Sequence, residues 1–403
     1  MNRSRISARV RGIKPSPSSA AADRASMLKR EGKSIVSLVV GEPDFDTPAH
    51  IRLAATKAME RGATRYTMLA GSPELRQAIA AKLQRENGLT YEPNDIIVTN
   101  GAKSGIYSAL EATVEPGDEV IIPAPFWVSY PDMVLACEGV PVTVQCPANQ
   151  GFKLSPAQLE AAISDKTRWL LINSPSNPTG ASYTLAEYRA LADVLARHPD
   201  VLVMTDDIYE HIRFDGNSTP HLLNAAPELK QRVLAVNGVS KTYAMTGWRI
   251  GWIAGPSDLI SALNTLLSQS SGNACSISQA AAVEALSGDQ AFIPESVAIY
   301  RSRRDRTLAR INAIDGLSCS PPDGAFYLYV GCAGLIGRTT PAGSRLETDG
   351  DVAMYLLESA GVAVVQGSAY GLSPFFRISI AASQEILDEG ADRMARAISE
   401  LRS

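Results

Sequence analysis

The chain of 403 residues is poor in the residues that hold disulfide frameworks and metal sites. Its five cysteines are odd in number and scattered, with no CxxC spacing, and its four histidines form no pair at ligand spacing. This pattern predicts reduced thiols in a cytoplasmic protein and argues against a disulfide framework or a zinc site. We therefore expect no bound metal.

The chain also lacks long apolar runs and any large excess of charge. No run approaches the roughly 18 apolar residues that a membrane span needs, and the formal net charge is only −4 at pH 7. These absences predict that the protein binds neither membranes nor nucleic acid. The arginine- and serine-rich segment 1–24 resembles a transit peptide in composition but has no secretory apolar core, and we expect a cytoplasmic location.

What the chain does have is an alternation of short apolar runs with helical patterns. Runs such as "TRWLLIN" (167–173) and "VLVMTDD" (201–207) predict strands buried on both faces, as in a mostly parallel sheet. After about residue 290, a long charged helix and shorter strands predict a smaller α+β lobe. We predict an α/β fold with a large domain over 46–290 and a small domain formed by 1–45 with 291–403. The glycine-rich segment 331–351 predicts a loop or lid.

Polar clusters follow four of the predicted strands, at 100–103, 174–180, 206–209 and 239–241. In an open α/β sheet, ligands bind at the carboxyl ends of the strands. Four polar clusters in that position therefore indicate a site at one edge of the sheet.

The individual residues of these clusters leave their roles open. The backbone after Gly101 either only begins a helix or also holds a phosphate, and Asp206 either caps the next segment or pairs with a protonated ring nitrogen. Lys241 is either a surface lysine or one kept partly neutral for covalent attachment to a cofactor. Trp127 packs in the core or against a cofactor. Arg377 alternates with apolar residues and needs an anionic partner, which is a protein acid or a substrate carboxylate.

Together these motifs resemble the class I aminotransferases, which use pyridoxal 5′-phosphate (PLP) and have the fold known as type I. The resemblance runs from "LVVGEPDFDTP" to "FFRISIA", and its most specific part is "GVSKTYAMTGWRIG" (238–251), preceded by "NSPSNPTG" and "DDIYE". More narrowly, "IKPSPS", "PFWVSYPDM" and "AMTGWRIG" are similar to the bacterial aspartate aminotransferase subgroup, some members of which also act on prephenate.

The resemblance implies a role for each matching residue. Lys241 would hold PLP covalently and move the substrate proton, Asp206 would keep the ring nitrogen protonated, and Tyr209 would hydrogen-bond the ring's O3′. The other matching residues would bind the cofactor (Ala102, Lys103, Trp127, Asn177, Ser240 and Arg249) or the substrate (Gly41, Trp127, Asn177 and Arg377). Tyr66, in "RYT", corresponds to a residue that reaches the cofactor phosphate of the other subunit, which implies a homodimer with shared active sites.

Three positions depart from the family pattern. Gly238 stands where a serine often binds the phosphate, Asp207 stands where glutamate is common, and Ser18 stands where threonine is common. By resemblance, Lys14, Ser18 and Lys103 would contact the distal carboxylate of aspartate, glutamate or prephenate.

We expect ping-pong transamination from an acidic amino acid to a 2-keto acid such as 2-oxoglutarate or oxaloacetate. An aminotransferase for aromatic or neutral amino acids, or a related PLP-dependent C–S lyase or aminocyclopropane carboxylate synthase, would use the same residues, so these alternatives stay open. A transcription regulator with an aminotransferase-like domain is disfavoured, because about 35 residues before the first strand-like run are too few for a DNA-binding domain. An NAD-binding enzyme is disfavoured because the GxGxxG fingerprint is missing.

Overall fold

The computed structural model describes residues 5–402, and within them lie fourteen α-helices and twelve β-strands. The helices are α1 (Ala8–Gly12), α2 (Pro17–Arg30), α3 (Ala49–Glu60), α4 (Pro73–Asn87), α5 (Ala102–Thr113), α6 (Tyr130–Ala136), α7 (Pro156–Ala162), α8 (Leu185–Leu195), α9 (Leu222–Ala225), α10 (Ser257–Gln269), α11 (Ser276–Ser287), α12 (Phe292–Asn312), α13 (Asp349–Ser359) and α14 (Gln384–Ser399). The strands are β1 (Val36–Ser37), β2 (Ile96–Thr99), β3 (Glu119–Ala124), β4 (Val140–Gln145), β5 (Thr167–Asn173), β6 (Leu202–Asp206), β7 (Val233–Gly238), β8 (Gly251–Ala254), β9 (Tyr327–Gly331), β10 (Val362–Ala363), β11 (Val365–Gln366) and β12 (Phe375–Ser379). The first four residues of the predicted small domain, and residue 403, lie outside the described residues.

A seven-stranded sheet in the order β2-β8-β7-β6-β5-β3-β4 forms the centre of the fold. Only β8 runs antiparallel to its neighbours, β2 and β7, and the other pairs are parallel. Successive residues of β5 point to opposite faces, so Leu170 and Ile172 join one apolar core while Trp169 and Leu171 join another. Helices cover both faces, which confirms the predicted α/β fold with a mostly parallel sheet.

The helices begin and end where the sequence provides caps. Thr184 and Glu187 form a capping box at the start of α8. Ser72 caps α4, which ends at Gly88 in the left-handed region with φ of 65°. Strands β2, β5, β6 and β7 run in the same direction, so the connections after them emerge at one edge of the sheet.

A second region is built from the C-terminal strands and the N-terminal segment. Strands β11, β12 and β9 form an antiparallel sheet, and β1 pairs in parallel with β10. A separate apolar core lies between this sheet, α12 and α14. The boundary between a large and a small domain at 46–290 stays a prediction.

The segment 331–351, predicted as a loop or lid, leads from β9 into α13. It contains a short 3₁₀ turn at Ala333–Leu335 and a bridge from Thr339 to Arg402. Leu335 and Leu346 are buried, so the segment is fastened to the C-terminal region. None of the described helices is both long and apolar enough to cross a membrane.

Candidate active site

A cavity of about 510 Å³ lies at the edge of the sheet where the predicted polar clusters meet. Twelve of the fourteen residues singled out from the sequence line it: Ser18, Gly41, Ala102, Lys103, Trp127, Asn177, Asp206, Tyr209, Ser240, Lys241, Arg249 and Arg377. Strand ends from the central sheet and a residue of β12 therefore converge on a single space. Its volume lies within the range of small-molecule sites, about 300–1,000 Å³.

Lys241 follows β7 and lines the cavity with a partly buried side chain. Burial lowers the pKa of its amine to about 8, and the positive charges of Arg249 and Arg377 act in the same direction. The Nζ atom donates a hydrogen bond to the carbonyl oxygen of Gly41 at 2.7 Å. A neutral amine is a nucleophile, so this lysine is able to form a covalent bond with a carbonyl group near neutral pH.

Glycines bring β7 and β8 together beside this lysine. A Cβ atom at Gly238 would lie 2.8 Å from the carbonyl oxygen of Ile250, and one at Gly251 would lie 2.3 Å from the amide nitrogen of Ala102. Neither position has room for a side chain. The close approach of β8 thus explains why Gly238 departs from the serine that is common in the family.

Asp206 ends β6 as a buried carboxyl group, and burial raises its pKa to about 6. The Tyr130 hydroxyl donates to Oδ2 at 2.6 Å, and this hydrogen bond favours the ionised form. The carboxylate is therefore ionised at neutral pH and faces the cavity. Ile208 N also donates to Oδ1, at 3.4 Å, so the capping role and the cavity-facing role coexist.

Arg377 has a guanidinium group that is only partly satisfied. Nη1 donates to Asn177 Oδ1 at 3.0 Å and Nη2 donates to Val39 O at 2.7 Å, whereas the buried Nε has no hydrogen-bond partner among the described residues. No acid in the described part of the chain forms an ion pair with it, and the rings of Tyr327 and Tyr370 lie 4.3 and 5.2 Å from its central carbon. A buried arginine in this state suits a carboxylate ligand.

A further part of the cavity wall is suited to a phosphate. Helix α5 begins there with Ala102 and Lys103, and a helix N-terminus attracts anions. Arg249 lies beside it, and its Nη1 donates to Thr246 O at 2.9 Å. Gly101 has φ of 85°, and a Cβ there would lie 2.5 Å from Arg249 Nη2, so glycine keeps the arginine and the helix start together.

Aromatic rings complete the walls. Lys103 Nζ lies 5.2 Å from the centre of the Trp127 ring, which in turn packs edge-on against Tyr130. The hydroxyls of Tyr209 and Tyr327 are 2.9 Å apart.

Burial lowers the pKa of Lys103, and the positive charge of Arg249 lowers it further.

Two predicted residues lie outside the cavity. The Tyr66 side chain is 95 % exposed in the single chain. Lys14 lines an adjoining recess of about 450 Å³, which shares Lys103 and Arg249 with the cavity, and its backbone N–H donates to Asp132 Oδ1 at 3.0 Å. The predicted roles of both residues stay predictions.

The structure also shows the contacts of Asp207 and Ser18, the other two residues that depart from the family pattern. Asp207 points away from the cavity and accepts a hydrogen bond from Thr205 Oγ1 at 2.8 Å, with His221 Nε2 at 3.4 Å. Ser18 lines the cavity, and its hydroxyl lies 3.4 Å from that of Tyr370.

Sequence reasoning missed four residues of this site. Tyr130 contacts Asp206, Tyr327 contacts Tyr209, and Glu42 Oε2 accepts a hydrogen bond from Thr246 Oγ1 at 2.8 Å. Asn173 joins two strand ends, since its Nδ2 donates to Asp206 O at 2.8 Å and its Oδ1 accepts from Asn177 N at 2.7 Å. Three of the four lie in quoted motifs, Tyr130 in "PFWVSYPDM", Glu42 in "LVVGEPDFDTP" and Asn173 in "NSPSNPTG", and these motifs were the available signal.

The comparisons with known proteins agree with this geometry. Residues 33–394 match the family described as aminotransferase class I and II. The chain belongs to this family. It is similar to an aspartate aminotransferase of Rhizobium meliloti (strain 1021), with 54% identity over 94% of this chain and 92% of the relative. It is also similar to the aspartate/prephenate aminotransferase of Cereibacter sphaeroides, with 51% identity over 95% and 96% of the two chains.

Two solved structures have the same fold. One is an aspartate aminotransferase from Rhizobium meliloti, with a TM-score of 0.97, 52% identity, and coverage of 99% of this chain and 100% of that chain. The other is an aspartate aminotransferase from Thermus thermophilus with maleate, with a TM-score of 0.91, 39% identity, and coverage of 98% and 100%. The predicted family, type I fold and enzyme class are confirmed, and the family uses PLP as its cofactor.

The residues of the cavity fit PLP. The start of α5 with Arg249 suits the phosphate, the ionised Asp206 suits a protonated ring nitrogen, and Lys241 supplies a partly neutral amine. When bound, PLP withdraws electrons from the substrate Cα and carries the amino group between the two half-reactions.

Proposed function

We propose that this aminotransferase transfers the α-amino group of aspartate to 2-oxoglutarate in a ping-pong reaction. The observation that carries the proposal is the buried Nε of Arg377, which has no partner within residues 5–402 and shares one cavity with the partly neutral amine of Lys241. An arginine fork takes the α-carboxylate of any amino acid. The names of the relatives, aspartate and aspartate/prephenate aminotransferase, support an acidic substrate.

The charges of the cavity support a dicarboxylate. Its cationic side chains are Lys103, Lys241, Arg249 and Arg377, whereas the acids among the lining residues are Glu42 and Asp206. Two of the cations are used by the phosphate and the α-carboxylate in this proposal. Lys103 is then free to receive the distal carboxylate, with Ser18 also lining the cavity and Lys14 in the adjoining recess.

We propose the following roles for the residues of the cavity in the reaction. Lys241 takes the proton from the substrate Cα and returns it, and the Gly41 carbonyl holds the amine inside the cavity. Asp206 keeps the ring nitrogen protonated. Tyr209 and Asn177 would hydrogen-bond the cofactor, and Trp127 would help to hold its ring.

We also propose that the enzyme is a homodimer in which Tyr66 completes the partner's site. The support is its exposure in the single chain, together with exposed apolar side chains on the same stretch of chain, Leu53, Met59 and Met68. An inactive Lys241→Ala chain mixed with an inactive Tyr66→Ala chain would then regain activity, because one site of each mixed dimer has both native residues. If dimers shown to be mixed recovered no activity, this result would contradict the shared site.

The cytoplasmic location stays a prediction from cysteine usage.

A steady-state assay with aspartate and 2-oxoglutarate tests the proposal. We expect parallel double-reciprocal lines as the second substrate is varied, with glutamate and oxaloacetate formed in equal amounts. Release of a thiol, ammonia and pyruvate from a β-thioether amino acid such as cystathionine, with no keto acid added, would indicate a C–S lyase instead. Higher kcat/KM for aromatic or neutral donors than for aspartate would overturn the acidic specificity.

Prephenate is a second candidate acceptor. The observation that favours it is the recess of about 450 Å³ beside the cavity, which adds room beyond that needed by a four-carbon acid. The same assay with prephenate in place of 2-oxoglutarate shows whether prephenate also accepts the amino group. No turnover of prephenate would restrict the enzyme to aspartate and short keto acids.

A further inference from the structure

The Tyr209 and Lys241 segments are joined behind the cavity by a group of polar side chains, of which three come from α4. We name this group the α4 cluster: Lys82, Glu86, Asn87, Glu210, His211, Asn237 and Thr242. None of its members lines the cavity. The cluster links residues that are adjacent in sequence to two of the proposed catalytic residues.

Glu210, the residue after Tyr209, is the first link. Its Oε1 accepts hydrogen bonds from Lys82 Nζ and, at 2.6 Å, from Asn237 Nδ2, and its Oε2 accepts from Asn87 Nδ2 at 2.6 Å. Asn237 Oδ1 in turn accepts from Gly238 N at 2.7 Å. Glu210 therefore ties the segment after β6 to the end of β7.

His211 is the second link. Its Nε2 lies 2.9 Å from Glu86 Oε2, and its Nδ1 lies 3.1 Å from the hydroxyl oxygen of Thr242, the residue after Lys241. Burial opposes ionisation of Glu86, but His211 and Lys82 outweigh it and lower the pKa of that carboxyl group. An ionised carboxylate only accepts, so Nε2 donates to it; in a neutral ring Nδ1 then accepts, and the Thr242 hydroxyl donates to Nδ1.

The cluster is closed rather than open to a ligand. Ligand atoms of Glu86, Glu210 and His211 all lie within 4.8 Å of one another, close enough for a metal ion. The buried ammonium group of Lys82 already donates to Glu210 and lies 3.6 Å from Glu86 Oε2. The positive charge of Lys82 therefore stands where a metal ion would otherwise balance the two carboxylates. The cluster is suited to fixing backbone positions and not to binding a ligand.

We propose that His211 is a positioning residue that acts on Lys241 through Thr242. The hydrogen bond from Thr242 fixes the backbone directly after Lys241, and the rest of the cluster holds His211 against α4. The direction of the Lys241 amine toward Gly41 O then depends on a contact outside the cavity. The effect on turnover rests on the proposed function, whereas the effect on the amine itself does not.

A matched pair of variants tests this inference. Thr242→Val removes the hydroxyl and keeps the shape, whereas Thr242→Ser keeps the hydroxyl. In the cofactor-free protein, the pH dependence of Lys241 modification by an amine reagent reports the titration of Lys241, with Lys241→Ala as the blank. We expect a shifted midpoint in Thr242→Val and a native midpoint in Thr242→Ser.

In the PLP-loaded enzyme, the same pair separates positioning from stability. We expect kcat to fall about tenfold in Thr242→Val with little change in KM, because a small displacement of a catalytic group has a large effect on rate. His211→Phe is expected to shift the midpoint in the same direction, and adding Thr242→Val to it is expected to give no further shift, because His211→Phe already removes the contact with Thr242. A native midpoint and native kcat in Thr242→Val, even with a lower Tm, would overturn the inference. Failure of aspartate turnover in the wild type would leave the cofactor-free readout valid.

Discussion

The Nζ atom of Lys241 donates a hydrogen bond to the carbonyl oxygen of Gly41, 200 residues earlier in the chain, at 2.7 Å. The bond directs the amine into the cavity, away from bulk water. It also connects the "GEPDFDTP" motif to the lysine motif, which explains why both occur in one site. The backbone carbonyl supplies this contact, and glycine leaves room for the Tyr327 hydroxyl, which lies 3.1 Å from where a Cβ would be.

We expect Lys241 to lower the stability of the cofactor-free protein. Its pKa falls from 10.5 to about 8 on burial, so the native state binds fewer protons than the unfolded state between these values and gains stability as the pH rises. We expect Lys241→Met to raise the free energy of unfolding by up to about 3 kcal/mol at pH 7, from 1.36 kcal/mol per pKa unit. The gain is full below pH 8 and vanishes toward pH 10.5. Denaturant unfolding across this range measures it, and a gain independent of pH would contradict the burial argument.

Arg377→Lys tests the fork that we assign to the α-carboxylate. A lysine keeps the charge but not the two parallel donors, so we expect KM for aspartate to rise about 10- to 100-fold, equivalent to one charge-assisted contact. Arg232→Lys is the control, because Arg232 also donates to backbone carbonyls but at the far end of β7. An unchanged KM in Arg377→Lys would remove the arginine from substrate binding.

Tyr130→Phe tests the hydrogen bond to Asp206. Burial raises the pKa of Asp206 to about 6 and the Tyr130 hydroxyl opposes that rise, so its removal raises the pKa further. Because the ionised carboxylate favours a protonated ring, PLP affinity is expected to weaken as the pH falls through this pKa, with a higher midpoint in Tyr130→Phe. Tyr91→Phe, which removes a buried hydroxyl without a partner among the described residues, is the control. Identical midpoints in both variants would show that Tyr130 does not tune Asp206.

Gly238→Ser tests why the chain departs from the family at this position. A side chain there would meet the backbone of β8, so we expect a loss of about 1–3 kcal/mol in the free energy of unfolding and no gain in PLP affinity. Gly247→Ser is the structural control, since nothing lies within 4 Å of a Cβ at that position. A stable Gly238→Ser protein with tighter PLP binding would instead restore the serine's role as a phosphate ligand.

Much of the fold and the cavity was predictable because both follow from short motifs at strand ends. Apolar runs gave the buried strands β5 and β6, and the polar residues after them reach the cavity because parallel strands end at one edge. Residues recruited through tertiary contacts were not predictable. Tyr327 and Tyr329 are two residues apart on the same strand, yet the first contacts Tyr209 whereas the second stacks on Phe375 with ring centres 4.7 Å apart.

The α4 cluster could not be predicted from the sequence either, and its contacting residues lie farther apart along the chain. Lys82 and Glu210 are 128 residues apart, and neither carries a local signal that it will be buried. Each looks in sequence like a solvated charge. Their pairing depends on how α4 packs behind the sheet, which no short motif encodes.

The most direct test of the account is the visible absorption spectrum of the purified protein with PLP, before and after aspartate is added. We predict a band from lysine-bound cofactor that is lost on adding aspartate, returns on adding 2-oxoglutarate, and is missing in Lys241→Ala. A band that responds to neutral or aromatic amino acids but not to aspartate would contradict the acidic substrate. The absence of any such band with Lys241 intact would contradict the whole account.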